Sequence, residues 1–177
     1  MRIVLYKKEN NKEVKDFILH NLEEIFNSPA KGLNDLDNIN KNFQLFLIAK
    51  ENSKIMGTIG IKKEGNCARI SRMYVDRLHR GAGIGKILIK KALEYCKWKF
   101  NRVFLTTYER MGSAGFYEKM GFKIFKKEKD IIENCVAYST FCPQFSNGQL
   151  QKQRATSHAV IHIWMEMIFN KKEQQRV

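Results

Sequence analysis

The chain reads as one α/β domain with helices laid against a single central sheet, and three observations predict this. Ala159, Ile161, Ile163, Met165, Met167 and Phe169 alternate without a break, the period-two signature of a strand with one apolar face. Ile84, Leu88, Ala92, Tyr95 and Cys96 fall at helical spacing over residues 84–99, with Ile87 and Leu93 beside them, a stripe wide enough to cover a sheet. Residues 43–50 and 54–61 are apolar runs parted by Glu51-Asn52-Ser53, the pattern of a hairpin. With 177 residues and 44% hydrophobic content, the chain can bury one good core and falls short of two domains of common size, so 1–177 is expected to form a single domain.

The elements follow in order. Residues 2–6 form a short strand, and residues 11–26 a helix with Val14, Phe17, Ile18, Leu22, Ile25 and Phe26 at near-helical spacing. Ser28-Pro29 and Lys31-Gly32 end it, and a polar stretch containing Asp35 and Asp37 leads into the hairpin. After the turn at Glu64-Gly65-Asn66 comes a strand over 68–75, then a glycine-containing turn and the helix from Ile84. Residues 102–107 are a continuous apolar run, as an interior strand requires. A short helix over 113–120 stops at Gly121, where a left-handed cap is expected, and residues 122–125 resume a strand. Residues 130–157, with Pro143 and Asn147-Gly148, read as a long loop; the last strand closes the sheet and residues 170–177 are expected to fray.

Charge is large and uneven. The chain carries 32 Lys/Arg and 18 Asp/Glu, a formal +14, yet residues 1–66 hold 11 basic and 9 acidic residues, against 21 and 9 from Cys67 onward. The second part should attract a polyanion: nucleic acid, an anionic surface, or a small phosphorylated cofactor. Cys67, Cys96, Cys135 and Cys142 lack C-x-x-C spacing, so reduced thiols are expected, and neither a bilayer-spanning stretch nor a signal-type apolar run is found; the expected setting is cytoplasmic. His158 and His162 lie four apart on a strand, too far separated for a metal pair, and no metal is expected. Trp164 on the same face is expected to support the loop rather than border a binding site.

The informative segment is Arg80-Gly81-Ala82-Gly83-Ile84-Gly85-Lys86, between the strand ending at Val75 and the amphipathic helix. Glycines let the backbone approach a ligand with its N–H groups turned inward, and a helix N-terminus adds roughly half a positive charge, so a pyrophosphate fits there. Lys86, Arg80 and Arg77 would add side-chain charge. The spacing is neither the G-x-G-x-x-G of a dinucleotide-binding turn nor that of a P-loop.

Met73-Tyr74-Val75 followed by Arg80-x-x-Gly83-x-Gly85 resembles the coenzyme A motif of the GNAT acetyltransferases, and Ser113-Ala114-Gly115-Phe116-Tyr117-Glu118-Lys119-Met120-Gly121-Phe122 resembles that family's second signature, F-Y-E-K-x-G-F. Ile55-Met56-Gly57 and Asp35-Leu36-Asp37 are weaker echoes. The resemblance implies a mixed, mostly antiparallel sheet of about six or seven strands with a splayed strand pair for acetyl-CoA. It implies that the main chain from Gly81 through Ala82, Gly83, Ile84 and Gly85 to Lys86 holds the pyrophosphate, that Met73, Tyr74 and Val75 line the pantetheine, and that the Met73 N–H stabilises the oxyanion. Tyr117 would be the general acid toward the departing thiolate, with Ser113 one helical turn earlier within reach. The implied function is acetyl transfer from acetyl-CoA to an amine, without a metal. Two positions depart from the pattern: Arg110 stands where an asparagine is common and Arg69 where histone-type members carry a glutamate, and no base residue is named. A catalytically silent coenzyme A-binding domain and a basic nucleic-acid-binding module are the competing readings, the latter without a nucleic-acid motif. Residues 27–42 and 130–157 are the expected acceptor walls, and the chain is expected to be a monomer or a homodimer with no membrane partner.

Overall fold

The computed structural model describes residues 1–26, 33–135 and 156–169. Seven strands make one sheet: β1 (Arg2–Leu5), β2 (Leu45–Glu51), β3 (Lys54–Glu64), β4 (Cys67–Val75), β5 (Arg102–Tyr108), β6 (Lys123–Cys135) and β7 (Thr156–Ile168), in the order β1-β2-β3-β4-β5-β7-β6. The helices are α1 (Asn11–Phe26), α2 (Ile39–Asn42), α3 (Ile84–Lys97) and α4 (Ala114–Lys119). Every neighbouring strand pair is antiparallel except β4 with β5.

The predicted periodicities are realised in what they bury. Leu88, Ile89, Ala92 and Cys96 of α3 are buried on one face of the sheet against Ile59, Ile61, Val103, Leu105 and Met165. On the other face Val14 and Ile18 of α1 join Leu36, Ile39, Phe46 and Ile48. Between α3 and β3 the backbone is close: a Cβ on Gly57 would come within 2.9 Å of the Tyr74 carbonyl oxygen and 3.0 Å of a Leu88 methyl. The β2–β3 turn is made by Asn52 and Ser53 at φ 47° and 66°, the left-handed pair a tight two-residue hairpin needs.

One prediction is corrected. The expected loop over 130–157 is shortened from both ends, because β6 runs to Cys135 and β7 starts at Thr156, in register from Lys123↔Glu166 to Cys135↔Thr156. Residues 130–135 were expected to be loop; ladder pairing with β7 extends the strand through them, and charge along an edge strand such as β6 keeps it from pairing with other chains. The remainder of that loop, residues 136–155, and the expected fraying of 170–177 lie outside the described residues. Among the described residues no helix is long and apolar enough to cross a membrane.

Candidate active site

β4 and β5 pair only at Cys67↔Arg102, Ala68↔Val103 and Arg69↔Phe104, after which the two strands part. The cause lies in β4. Its register against β3 shifts between Ser71↔Gly60 and Tyr74↔Thr58, so Arg72 and Met73 form a bulge, with Arg72 in the left-handed region at φ 52°. Thr58, fully buried, donates its hydroxyl to the Arg72 carbonyl at 2.9 Å. Asp35, from the turn Asn34–Leu36, accepts from Arg72 Nε at 3.1 Å and Nη2 at 2.6 Å, and its Oδ2 lies 2.7 Å from Lys62 Nζ. Burial alone would raise the Asp35 carboxyl, but hydrogen bonds and charge from Arg72 and Lys62 outweigh it and hold the group below its ordinary value.

At the mouth of the split the predicted turn is in place. Asp76 caps Arg77–His79 by accepting from the Leu78 N–H at 3.0 Å, and the chain then turns through Gly81 and Gly83, at φ 85° and 81°, into α3 with Gly83 as N-cap. A Cβ at Gly81 or Gly83 would meet nothing within 4 Å, so the glycines serve backbone conformation and leave open space above the turn. Gly85 is packed more closely: a Cβ there would approach Phe116, Met73 and Val75 at 3.4–3.6 Å, which ties the first turn of α3 to both α4 and β4.

Two of the three cations expected at this turn have partners that sequence reasoning missed. Arg77 lies 3.3 Å and Arg80 lies 3.6 Å from Glu24 of α1, while Arg80 also donates to the Val75 carbonyl at 3.1 Å and to Asn21 Oδ1 at 3.5 Å. Two arginines share one carboxylate, so the turn keeps a positive surplus. Asn21 and Glu24 stand one helical turn apart on α1, and nothing local in the sequence marks them as belonging to a turn more than fifty residues away.

Tyr117, the residue expected to serve as acid, reaches from α4 to Met73 of β4. Its side chain is buried against Phe116 and Phe122 at ring distances of 5.2 and 6.0 Å, and its hydroxyl donates to Met73 Sδ at 3.5 Å. Burial, aided by the neighbouring Tyr74, raises its pKa, so the phenol holds its proton throughout the physiological range. Tyr74 is likewise pushed up by burial. Ser113 is brought to α4's first turn but its hydroxyl is 2.6 Å from Thr107 Oγ1 of β5, which fixes α4 to the far bank of the split rather than reaching Tyr117. Arg69, at the zipped end of the strands, lies 3.3 Å from Glu64.

A parallel strand pair that opens at a bulge, with a glycine turn and helix N-terminus at its mouth, is the arrangement that the sequence resemblance to the GNAT acetyltransferases implied. The comparisons give the family: the profile of the acetyltransferase (GNAT) family matches residues 12–122, and the chain belongs to that family. An uncharacterised Bacillus subtilis protein, YyaT, is 31% identical over 110 residues, covering 60% of this chain and 71% of that protein. An uncharacterised N-acetyltransferase of Methanocaldococcus jannaschii is 30% identical over 97 residues, 50% of this chain and 41% of the relative. Among solved structures, a GNAT acetyltransferase of Staphylococcus aureus superposes with a TM-score of 0.70 at 24% identity, covering 96% of this chain and 99% of that one. A Brucella melitensis GNAT acetyltransferase crystallised with acetyl-CoA has a TM-score of 0.58 at 21% identity, over 69% and 82% of the two chains.

Proposed function

We propose that the chain transfers an acetyl group from acetyl-CoA directly to an amine within a ternary complex, with Tyr117 as general acid. The single observation that carries this reading is the Tyr117 hydroxyl, buried beside β4 and hydrogen-bonded to the side chain of Met73. The residues fit the donor. Amides from Gly81 to Lys86 lie at a helix N-terminus with open space at Gly81 and Gly83, a place for a diphosphate, and the edge of β4 at Met73, Tyr74 and Val75 beyond its pairing with β5 can accept an extended pantetheine as a further strand.

When bound, acetyl-CoA supplies an activated thioester. The Met73 N–H, which has no register partner across β3, stabilises the charge that gathers on the carbonyl oxygen. Tyr117 exchanges Met73 Sδ for the leaving sulfur and gives it a proton, which solvent restores. The amine forms its bond to carbon as the carbon–sulfur bond breaks, and its own proton goes to solvent; no covalent enzyme intermediate is needed.

Thiol release measured over a panel of amines tests the reading. Tyr117→Phe should slow release by about 100-fold with acetyl-CoA affinity nearly unchanged, the size of effect a lost acid gives. An unchanged rate removes Tyr117 from the role, and acetyl-CoA binding without release from any amine would favour the silent domain.

A further inference from the structure

Tyr117 sits on a helix of six residues, too short to be stable through its own hydrogen bonds, so its place is set by what holds that helix to the sheet. Ala114, Phe116 and Met120 pack against the core that contains Tyr117 and Phe122. Apolar burial of this kind is non-directional, whereas a hydrogen bond has a preferred line.

Ser113 supplies such a bond in place of a helix cap. A serine just before a helix ordinarily takes an extended backbone and accepts from the N–H groups of the first turn. Ser113 instead has φ −86° and ψ −9° and makes no cap bond, and its hydroxyl lies 2.6 Å from Thr107 Oγ1. Met111 Sδ, on the turn that leads into the helix, is 3.9 Å from the same threonine hydroxyl. Thr107 is a fixed point, because it is buried and its register pairing with Ile163 keeps its backbone in the ladder. Valine, close to the same shape without the hydroxyl, would serve packing alone, and a buried hydroxyl is costly unless it is bonded. Asn21, Thr58 and Thr107 are each buried, and the first two already serve the site: Asn21 meets Arg80 at the glycine turn, and Thr58 holds the β4 bend.

The tie reaches Tyr117 by a short path. The Ser113 carbonyl accepts from the Tyr117 N–H at 3.3 Å and from the Phe116 N–H at 3.1 Å, so the residue whose side chain is bonded to β5 also holds the backbone of the tyrosine. The Tyr117 hydroxyl in turn donates to Met73 Sδ. α4 is therefore tied to both of the strands that part, to β5 through Ser113 and to β4 through Tyr117.

Resting on the transferase reading above, we infer that Ser113 and Thr107 are positioning residues for the reaction: their bond sets the angle of α4, and with it the place of the Tyr117 hydroxyl relative to the Met73 N–H. Ser113 thus acts on turnover through the helix and not by holding the cofactor.

Thr107→Val keeps the shape of the side chain and removes the bond, Ser113→Ala removes it from the other side, and Thr107→Ser keeps it. In thiol release the first two should each lower kcat about tenfold, as a displaced reacting group does, while calorimetry shows acetyl-CoA affinity changed by less than about twofold and Thr107→Ser recovers most of the rate. The double variant Thr107→Val with Ser113→Ala should be no slower than either single one. The deciding background is Tyr117→Phe: with that hydroxyl gone, Thr107→Val should cost nothing further. In protein labelled with fluorotyrosine, the Tyr117 signal, identified by its loss in Tyr117→Phe, should move in Thr107→Val and return in Thr107→Ser. A rate loss of the same size in the Tyr117→Phe background, or an unmoved Tyr117 signal, overturns the inference. A slow Tyr117→Phe beside full-rate Thr107→Val and Ser113→Ala sinks the inference alone, whereas full release by Tyr117→Phe, or release from no amine, sinks the transferase reading and this inference with it.

Discussion

The two banks of the split are built differently. On the β5 bank every residue from Arg102 to Tyr108 has a register partner on β7, so that strand stays with the sheet to its end. The β4 bank keeps three residues in register with β5 and then bends at Arg72, an arginine at φ 52°, a conformation that costs roughly 1 kcal/mol or more for a residue with a Cβ. What holds the bend comes from outside the ladder: Thr58 on its carbonyl, and Asp35 and Lys62 on its side-chain network. The cleft is thus opened by one strand, and that strand's position is set by a carboxylate 37 residues earlier in the chain.

The largest expected effect breaks the mouth of the split while leaving both banks intact. Gly83→Glu puts a carboxylate at the N-cap of α3, where open space receives the side chain and the helix dipole tolerates a negative charge, so the fold should survive the φ strain of about 1 kcal/mol. The same charge would repel a diphosphate. Calorimetry with acetyl-CoA should show affinity lost by about 100-fold or more, and affinity kept within about threefold would mean the turn binds nothing anionic.

Asp35→Ala sharpens the contrast between the banks. It leaves Arg72 and Lys62 without their shared carboxylate at a site where all three side chains are mostly buried, and should cost about 2–3 kcal/mol in denaturant unfolding. Turnover should fall further than stability explains, because the bend that aims the Met73 N–H is released; Asp35→Asn, which keeps an acceptor oxygen, should lose less of both. The Asp35 carboxyl is held low in the fold, so its contribution is present above the unfolded pKa near 3.8 and lost as pH falls through the folded value. The acid limb of a stability profile should therefore flatten in the alanine variant. Equal losses on both variants, with turnover tracking folded fraction, would make Asp35 an ordinary surface partner.

Most of the β5 bank was legible in sequence, and most of the β4 bend was not. Alternation through Ile163 and Met165, the apolar run of β5 and the stripe of α3 all announce themselves within one element, because burial of one face imposes a period. Gly81, Gly83 and Gly121 were legible for a related reason, since their left-handed φ values favour glycine. Arg72 gives no such sign: an arginine in that region is held there by Asp35 and Thr58, and long-range side-chain partners leave no local pattern. Glu24 with Arg77 and Arg80, and Ser113 with Thr107, were missed in the same way. The family resemblance supplied the placement of Tyr117, which periodicity alone gives only as an aromatic on a short helix.

The smallest effect tests the core shared by both banks. Cys96 of α3 is fully buried beneath the sheet, and burial pushes its thiol up to about 12 from an ordinary 9.0. Above pH 9 the unfolded chain releases that proton while the folded chain keeps it, so the thiol's stabilising contribution is complete below pH 9 and is lost as pH rises toward 12. One pH unit above the unfolded value this amounts to about 1 kcal/mol. Cys96→Ala carries a constant packing loss but no titration, so urea midpoints between pH 8 and 10 should decline more steeply for the unsubstituted chain, with the Tyr117 phenol adding to both only above its ordinary value of 10.0. Parallel declines would mean that water reaches Cys96, and that the core under the split is less dry than its zero exposure requires.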